Sequence, residues 1–145
     1  MRNKKVVTWI LGTLREAAWA PLGVFVFYLI ARSLQLFSLF PPLDIPTHFL
    51  GGVVITYFYR VAIRNMQTIV GKIPFPIQVL FAFTCTGTTT IFWEFYEYLF
   101  DFFFDTHMVR GVTDTTMDFF VGLVGALVVS LFYRRGPEPA QAGVS

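Results

Sequence analysis

Apolar positions along this chain fall into four long runs, separated by short connections rich in proline and polar residues. The runs extend from about Pro21 to Phe40, Pro46 to Ile63, Phe75 to Phe103 and Thr116 to Tyr133. At about 1.5 Å per helical residue, each can cross a hydrocarbon core of about 30 Å. The connections LFPPLDIPT, RNMQTIVGKIPFP and FDTHMVRGVTD join them in order, and no internal repeat is visible. The pattern predicts an all-α integral membrane protein, a four-helix bundle, with an additional N-terminal interfacial helix as an option. Residues 1–20 are expected as a cytoplasmic N-terminus or interfacial helix and 21–135 as a four-span transmembrane domain. Residues 136–145, GPEPAQAGVS, lack apolar periodicity and are expected as a disordered cytoplasmic tail.

The N-terminus has a basic start, a short apolar run and an Ala-x-Ala ending at Ala18 to Ala20, the outline of a secretory signal. Arg15 and Glu16 interrupt the zone before the cleavage point, and VVTWILGTL is short. Val6 to Trp19 therefore reads as an interfacial helix or as the inner end of the first span.

Composition agrees with the pattern. Of 145 residues 55% are hydrophobic, 19% aromatic and only 14% charged, with 18 Phe. A soluble chain of this length could not bury so much apolar surface, so lipid must solvate part of it. A net charge of +2 argues against nucleic acid as a partner, and a single Cys excludes an internal disulfide framework. Cys85 reads as a small packed residue.

Charge then orients the spans. Arg2, Lys4, Lys5 and Arg15 precede the first, Arg60, Arg64 and Lys72 lie between the second and third, and Arg134 and Arg135 follow the fourth. Basic residues resist translocation, so both termini are expected in the cytoplasm of a multi-pass cell-membrane protein. Arg32 and Arg110 alone depart from this. The acids go the other way. Asp44, Glu94, Glu97, Asp101, Asp105, Asp114 and Asp118 belong to the outer half, together with His48 and His107.

Their spacing is informative. Glu94, Glu97 and Asp101 stand at i, i+3 and i+7, one stripe of a helix; Asp114 and Asp118, and Asp44 and His48, stand at i and i+4. Three helix ends thus carry carboxylate or imidazole to one depth. Ionisable groups inside a span usually face the bundle interior and serve function. Crowded carboxylates repel one another, and the cations near them are few: Arg110, Arg32 if turned inward, and a protonated histidine. A divalent metal is the economical neutraliser, with an oxygen-rich, hard ligand set suited to Mg, Mn or Ca, or to iron or zinc through the imidazole. The candidate ligands are His48, Glu94, Glu97, Asp114, Asp118 and Asp44, the last as ligand or orienting group. Asp101, Asp105 and His107 read as interfacial or loop residues. The aromatic rings of FYEYLFDFFFD read as a lipid belt, the glycines Gly51-Gly52, Gly122 and Gly125 as close-packing positions, and the threonines from Thr84 to Thr90 as hydrogen-bonding to backbone or neighbouring helices.

Three stretches in order, DIPTHFLGG (Asp44 to Gly52), WEFYE (Trp93 to Glu97) and DTTMDFFVGLVGA (Asp114 to Ala126), resemble the signatures of the small bacterial YjdF-type membrane proteins. Those in turn are similar to the VanZ-like group, whose founding member is associated with glycopeptide (teicoplanin) resistance. Glu97 stands where a Gln is common in that group. The resemblance implies a multi-span membrane protein and points by position to Asp44, His48, Glu94, Glu97, Asp114 and Asp118.

The reading that joins these features is a membrane-embedded, metal-dependent hydrolase or transferase acting on a membrane lipid or a lipid-linked or cell-wall precursor. In it Glu94 or Glu97 serves as general base. Two alternatives stay open: a small transporter or ion-conducting oligomer that uses the carboxylates as a relay, and a non-catalytic membrane partner protein that docks through an acidic rim.

Overall fold

The computed structural model describes residues 2–132. The expected tail, Tyr133 at the end of the fourth run, and Arg134 and Arg135 lie outside these. The described elements are α1 (Arg2–Ala17), α2 (Trp19–Ser33), α3 (Leu36–Leu39), a 3₁₀ turn at Pro41–Leu43, α4 (Asp44–Val70), α5 (Phe75–Phe104) and α6 (Val112–Phe132). The protein is an all-α membrane protein with no strand among the described residues.

Two helices, Phe75–Phe104 and Val112–Phe132, are long and apolar enough to cross a membrane, and the pair Asn3–Ala17 and Trp19–Ser33, bent by 54°, qualifies only when taken together. The first expected span thus differs from the observed one. Its helix stops at Ser33, Gln35 takes a left-handed conformation at φ 56°, and the chain leaves through α3 and the Pro41-Pro42 turn. The apolar run LQLFSLF continues the hydrophobic pattern, but the residue before a proline is pushed out of the helical region.

α4 is the exception that organises the fold. Its 27 residues reach about 40 Å, enough to cross, yet its C-terminal half carries Arg60, Arg64, Asn65 and Gln67. Because α4 packs against α1, α2, α5 and α6, protein instead of lipid solvates it. The helix continues seven residues beyond Ile63, where apolarity alone would have ended it.

The interior is polar and small, the exterior apolar. α4 buries His48, Gly52, Thr56 and Arg60 at a four-residue interval; α5 buries Ala82, Thr86, Thr90 and Glu94 at the same interval; α6 buries Asp118, Gly122 and Ala126. Facing outward are Phe92, Phe95, Tyr98, Phe102 and Phe103. Lipid offers helices no hydrophobic drive to associate, so close packing and hydrogen bonds hold them. Thr56 and Thr86 hydroxyls meet at 2.8 Å, and Tyr59 meets Thr89 at 2.9 Å. As the sequence suggests, the threonines of α5 also bond back to their own helix, Thr86 to the Ala82 carbonyl and Thr90 to that of Thr86. Towards the C-terminal end of α4 the Trp9 indole donates to the Ala62 carbonyl at 2.8 Å, and Arg64 pairs with Glu16, strapping α1 along α4.

α4 and α6 approach most closely at glycine. A Cβ on Gly52 would lie 2.0 Å from the Gly122 carbonyl oxygen, and one on Gly125 would lie 2.3 Å from that of Phe49. Neither contact can relax without moving backbone. Gly51, one residue away, has open space. Gly52→Ala and Gly125→Ala should each lower stability by about 1–3 kcal/mol or more in detergent melts, as overpacking of a close contact does. Gly51→Ala should be neutral or slightly stabilising, since alanine favours a helix interior. Equal effects of all three would remove the glycine contact from the account.

Candidate functional site

One turn above the Gly52–Gly122 contact lie His48 on α4 and Asp118 on α6; one turn above Thr90 on α5 lies Glu94. The glycine at 122 leaves room for the Thr90 side chain, whose atoms stand 3.4 and 3.5 Å from a would-be Cβ there. Three helices are therefore drawn together directly beneath three ionisable groups. That is why residues 70 positions apart in sequence meet.

His48 is the hub. Its Nε2 stands 3.4 Å from Asp44 Oδ1, one turn earlier on the same helix, and 3.7 Å from Asp118 Oδ1. Its Nδ1 stands 4.0 Å from Glu94 Oε1. Glu94, Glu97 and Asp118 are 5%, 7% and 4% exposed, so the cluster lies inside the bundle. Glu97 is held from the other side: the Tyr28 hydroxyl on α2 donates to Glu97 Oε1 at 3.0 Å, with its ring edge-on to Trp93. Asp44 Oδ2 pairs with Arg110, which also reaches Asp114 Oδ1 at 3.5 Å and donates its backbone N–H to Asp114 Oδ2 at 3.1 Å.

Two sets of ligand atoms emerge. Those of Asp44, His48 and Asp118 lie within 4.8 Å of one another, and so do those of His48, Glu94 and Glu97. Metal–ligand bonds of about 2.0–2.2 Å hold neighbouring ligand atoms about 3 Å apart, so small side-chain adjustments would close either set on a cation. One atom bears directly on the fit. Glu94 Oε1 is buried and has no hydrogen-bond partner. A buried acceptor left unpaired is costly, and a carboxylate oxygen more so. Four carboxylates and one imidazole form a hard, oxygen-rich set that suits Mg²⁺, Mn²⁺ or Ca²⁺, and admits iron or zinc.

Five of the six expected ligands, Asp44, His48, Glu94, Glu97 and Asp118, are thus gathered. Asp114 stands at the rim, engaged with Arg110, outside both ligand sets. Asp101 has a different task, although it shares the stripe of Glu94. Its Oδ1 accepts from the Thr106 hydroxyl and the Met108 N–H, each at 2.6 Å, and its Oδ2 from the Val109 N–H at 2.7 Å. It folds the α5–α6 connection back over the bundle and buries Met108. Arg32 assists by donating to the Thr106 carbonyl at 3.4 Å. Asp105 and His107 face solvent, 91% and 84% exposed at the side chain, 3.5 Å from each other and apart from the cluster. Tyr28 was not among the sequence candidates. Its one signal is a hydroxyl in an apolar run, since a buried tyrosine usually finds a partner for its O–H.

Two outcomes test this division of labour. Tyr28→Phe should lower stability by about 1–3 kcal/mol in a detergent melt, the range for leaving a buried charged acceptor unpaired. Asp101→Ala should release the connection, so that trypsin cuts after Arg110 several times faster while the melting temperature changes little. Unchanged cleavage would mean that the connection is held by something else.

A protein family described as predicted membrane protein (DUF2238) matches residues 9–136. No curated protein and no solved structure matches the chain. The match takes in the second half of α1, the whole polar cluster and the helices that carry it, and the chain belongs to this family of predicted membrane proteins.

Proposed function

We propose that the protein uses its buried cluster to bind a divalent metal at the extracytoplasmic end of the bundle, and that it acts there as a hydrolase or transferase on a lipid or cell-envelope precursor. The observation that carries the reading is Glu94 Oε1, buried, without a hydrogen-bond partner and 4.0 Å from His48 Nδ1. A cation supplies what that atom lacks. His48, Asp44, Asp118, Glu94 and Glu97 provide the ligands, and Tyr28 and Arg110 orient two of the carboxylates from behind.

When bound, such a metal polarises a substrate oxygen and makes a bound water acidic enough to be used as a nucleophile near neutral pH. The chain's own part is to exclude bulk water, fix the ligands and offer a carboxylate oxygen of Glu94 or Glu97 not engaged with metal as the proton acceptor. An apolar cleft of about 370 Å³ runs beside the cluster between α4 and α6, lined by Ile45, Pro46, Phe49, Phe120, Val121 and Val124. Ile45 and Phe49 directly follow Asp44 and His48 in sequence. A lipid chain lying there has its polar end at the site, which supports a lipid or lipid-linked substrate. The basic residues at the opposite end of the helices support the outward orientation through the positive-inside rule. Beneath the cluster the hydroxyls of Thr56, Thr86 and Thr90 are bonded to their own helices, which favours a one-ended site over a conduction path.

Metal analysis of detergent-purified wild type beside Glu94→Gln and Asp118→Asn is the test. Stoichiometric metal in the wild type, reduced in both variants at an unchanged elution profile, is expected. Wild type that holds no stoichiometric metal, with a melt indifferent to chelator, would sink the reading.

A further inference from the structure

The arrangement around His48 carries more than room for a cation. We propose that the site holds two divalent cations, one on each side of the imidazole ring, an inference that rests on the metal-binding reading above. The two ring nitrogens serve different acids. Nε2 faces Asp44 and Asp118 at 3.4 and 3.7 Å, whereas Nδ1 faces Glu94 at 4.0 Å. His48 belongs to two triads whose ligand atoms lie within 4.8 Å of one another, one with Asp44 and Asp118 and one with Glu94 and Glu97. The nitrogens' lone-pair directions diverge in the ring plane, so one ion cannot bind both. A single ion therefore completes one triad and leaves the other as bare buried carboxylate.

Formal charge points the same way. Asp44, Glu94, Glu97, Asp114 and Asp118 bring five carboxylates, and the guanidinium in contact with them is that of Arg110. That leaves four negative charges beside one imidazole. One divalent ion halves the excess and two close it. Like charges a few ångströms apart interact strongly where protein replaces water, so the remaining half is not a small matter.

The supporting bonds are duplicated as well. In the outer triad, Asp44 has Oδ2 on Arg110 and turns Oδ1 to the histidine. In the inner triad, Glu97 has Oε1 on Tyr28, leaving its other oxygen for a ligand. Each half thus owns one carboxylate aimed by a donor behind it, the arrangement that fixes metal ligands in general. The unpartnered Glu94 Oε1 belongs to the inner half, so an ion confined to Asp44, His48 and Asp118 would not satisfy it. Neutral imidazole has one lone pair. The histidine accordingly ligates one ion and turns its N–H towards the acids around the other, which is held by oxygen alone, as Mg²⁺ and Mn²⁺ accept.

Detergent-purified full-length chain is stripped with chelator, loaded with Mn²⁺, desalted and measured for manganese per chain and by electron paramagnetic resonance. The expected result is two ions per chain with a spectrum broadened by coupling between them. Asp118→Asn and Glu97→Gln should each fall from two ions to one and lose the coupling, at an unchanged elution profile. One ion per chain in the wild type, with an uncoupled spectrum, would overturn the two-ion inference and leave the metal-site reading intact; none at all would overturn both. If either variant elutes as aggregate, the wild-type count and spectrum still decide the matter.

Discussion

The contact between Gly52 and Gly122 is the constraint on which the rest depends. With a would-be Cβ at 2.0 Å from a carbonyl oxygen, the two helices are as close as backbones allow. Every ionisable residue of the cluster except Glu97 and Asp44 is one helical turn from this contact or from Thr90 beside it. A wider spacing of α4 and α6 would carry Asp118 away from His48, and two buried groups would lose each other. The glycines therefore fix not only the packing but also the distances at the polar site.

A bundle of this kind has its polarity inside out. The face that would be a leucine core in a soluble protein holds threonine, glycine and acid, and the phenylalanines lie outside. This ordering follows from the solvent. Where lipid surrounds the helices, apolar groups gain nothing by turning inward, and polar groups have nowhere else to go. α4 takes this furthest: four other helices pack against it, and it can keep Arg60 buried against the Phe75 ring at 4.8 Å.

Much of this was legible in the chain. The i, i+4 pairs Asp44/His48 and Asp114/Asp118 and the Glu94/Glu97 step fall on buried or half-buried faces, because a charge in a long apolar run has to face protein. What could not be read follows from longer-range geometry. Asp101 is in phase with Glu94, but the helix carries it two turns beyond, where it caps a connection instead of entering the site. Tyr28 reaches Glu97 across 69 positions of sequence, and no local spacing announces such a meeting. The end of α2 at Ser33 was hidden by the apolar residues that follow, and the C-terminal end of α4 by the polar residues that a central helix is free to carry.

The offset of four residues between each buried ionisable group and the small or hydroxyl residue beneath it has a consequence for recognising such clusters elsewhere. His48 and Gly52, Thr90 and Glu94, and Asp118 and Gly122 write the same instruction three times: an ionisable group, and one turn deeper the residue that lets the helices touch. A chain bearing H-x-x-x-G, T-x-x-x-E and D-x-x-x-G on three successive helices therefore encodes the depth at which these groups meet as well as their identity. Acids without their paired glycines would spell the chemistry and omit the address.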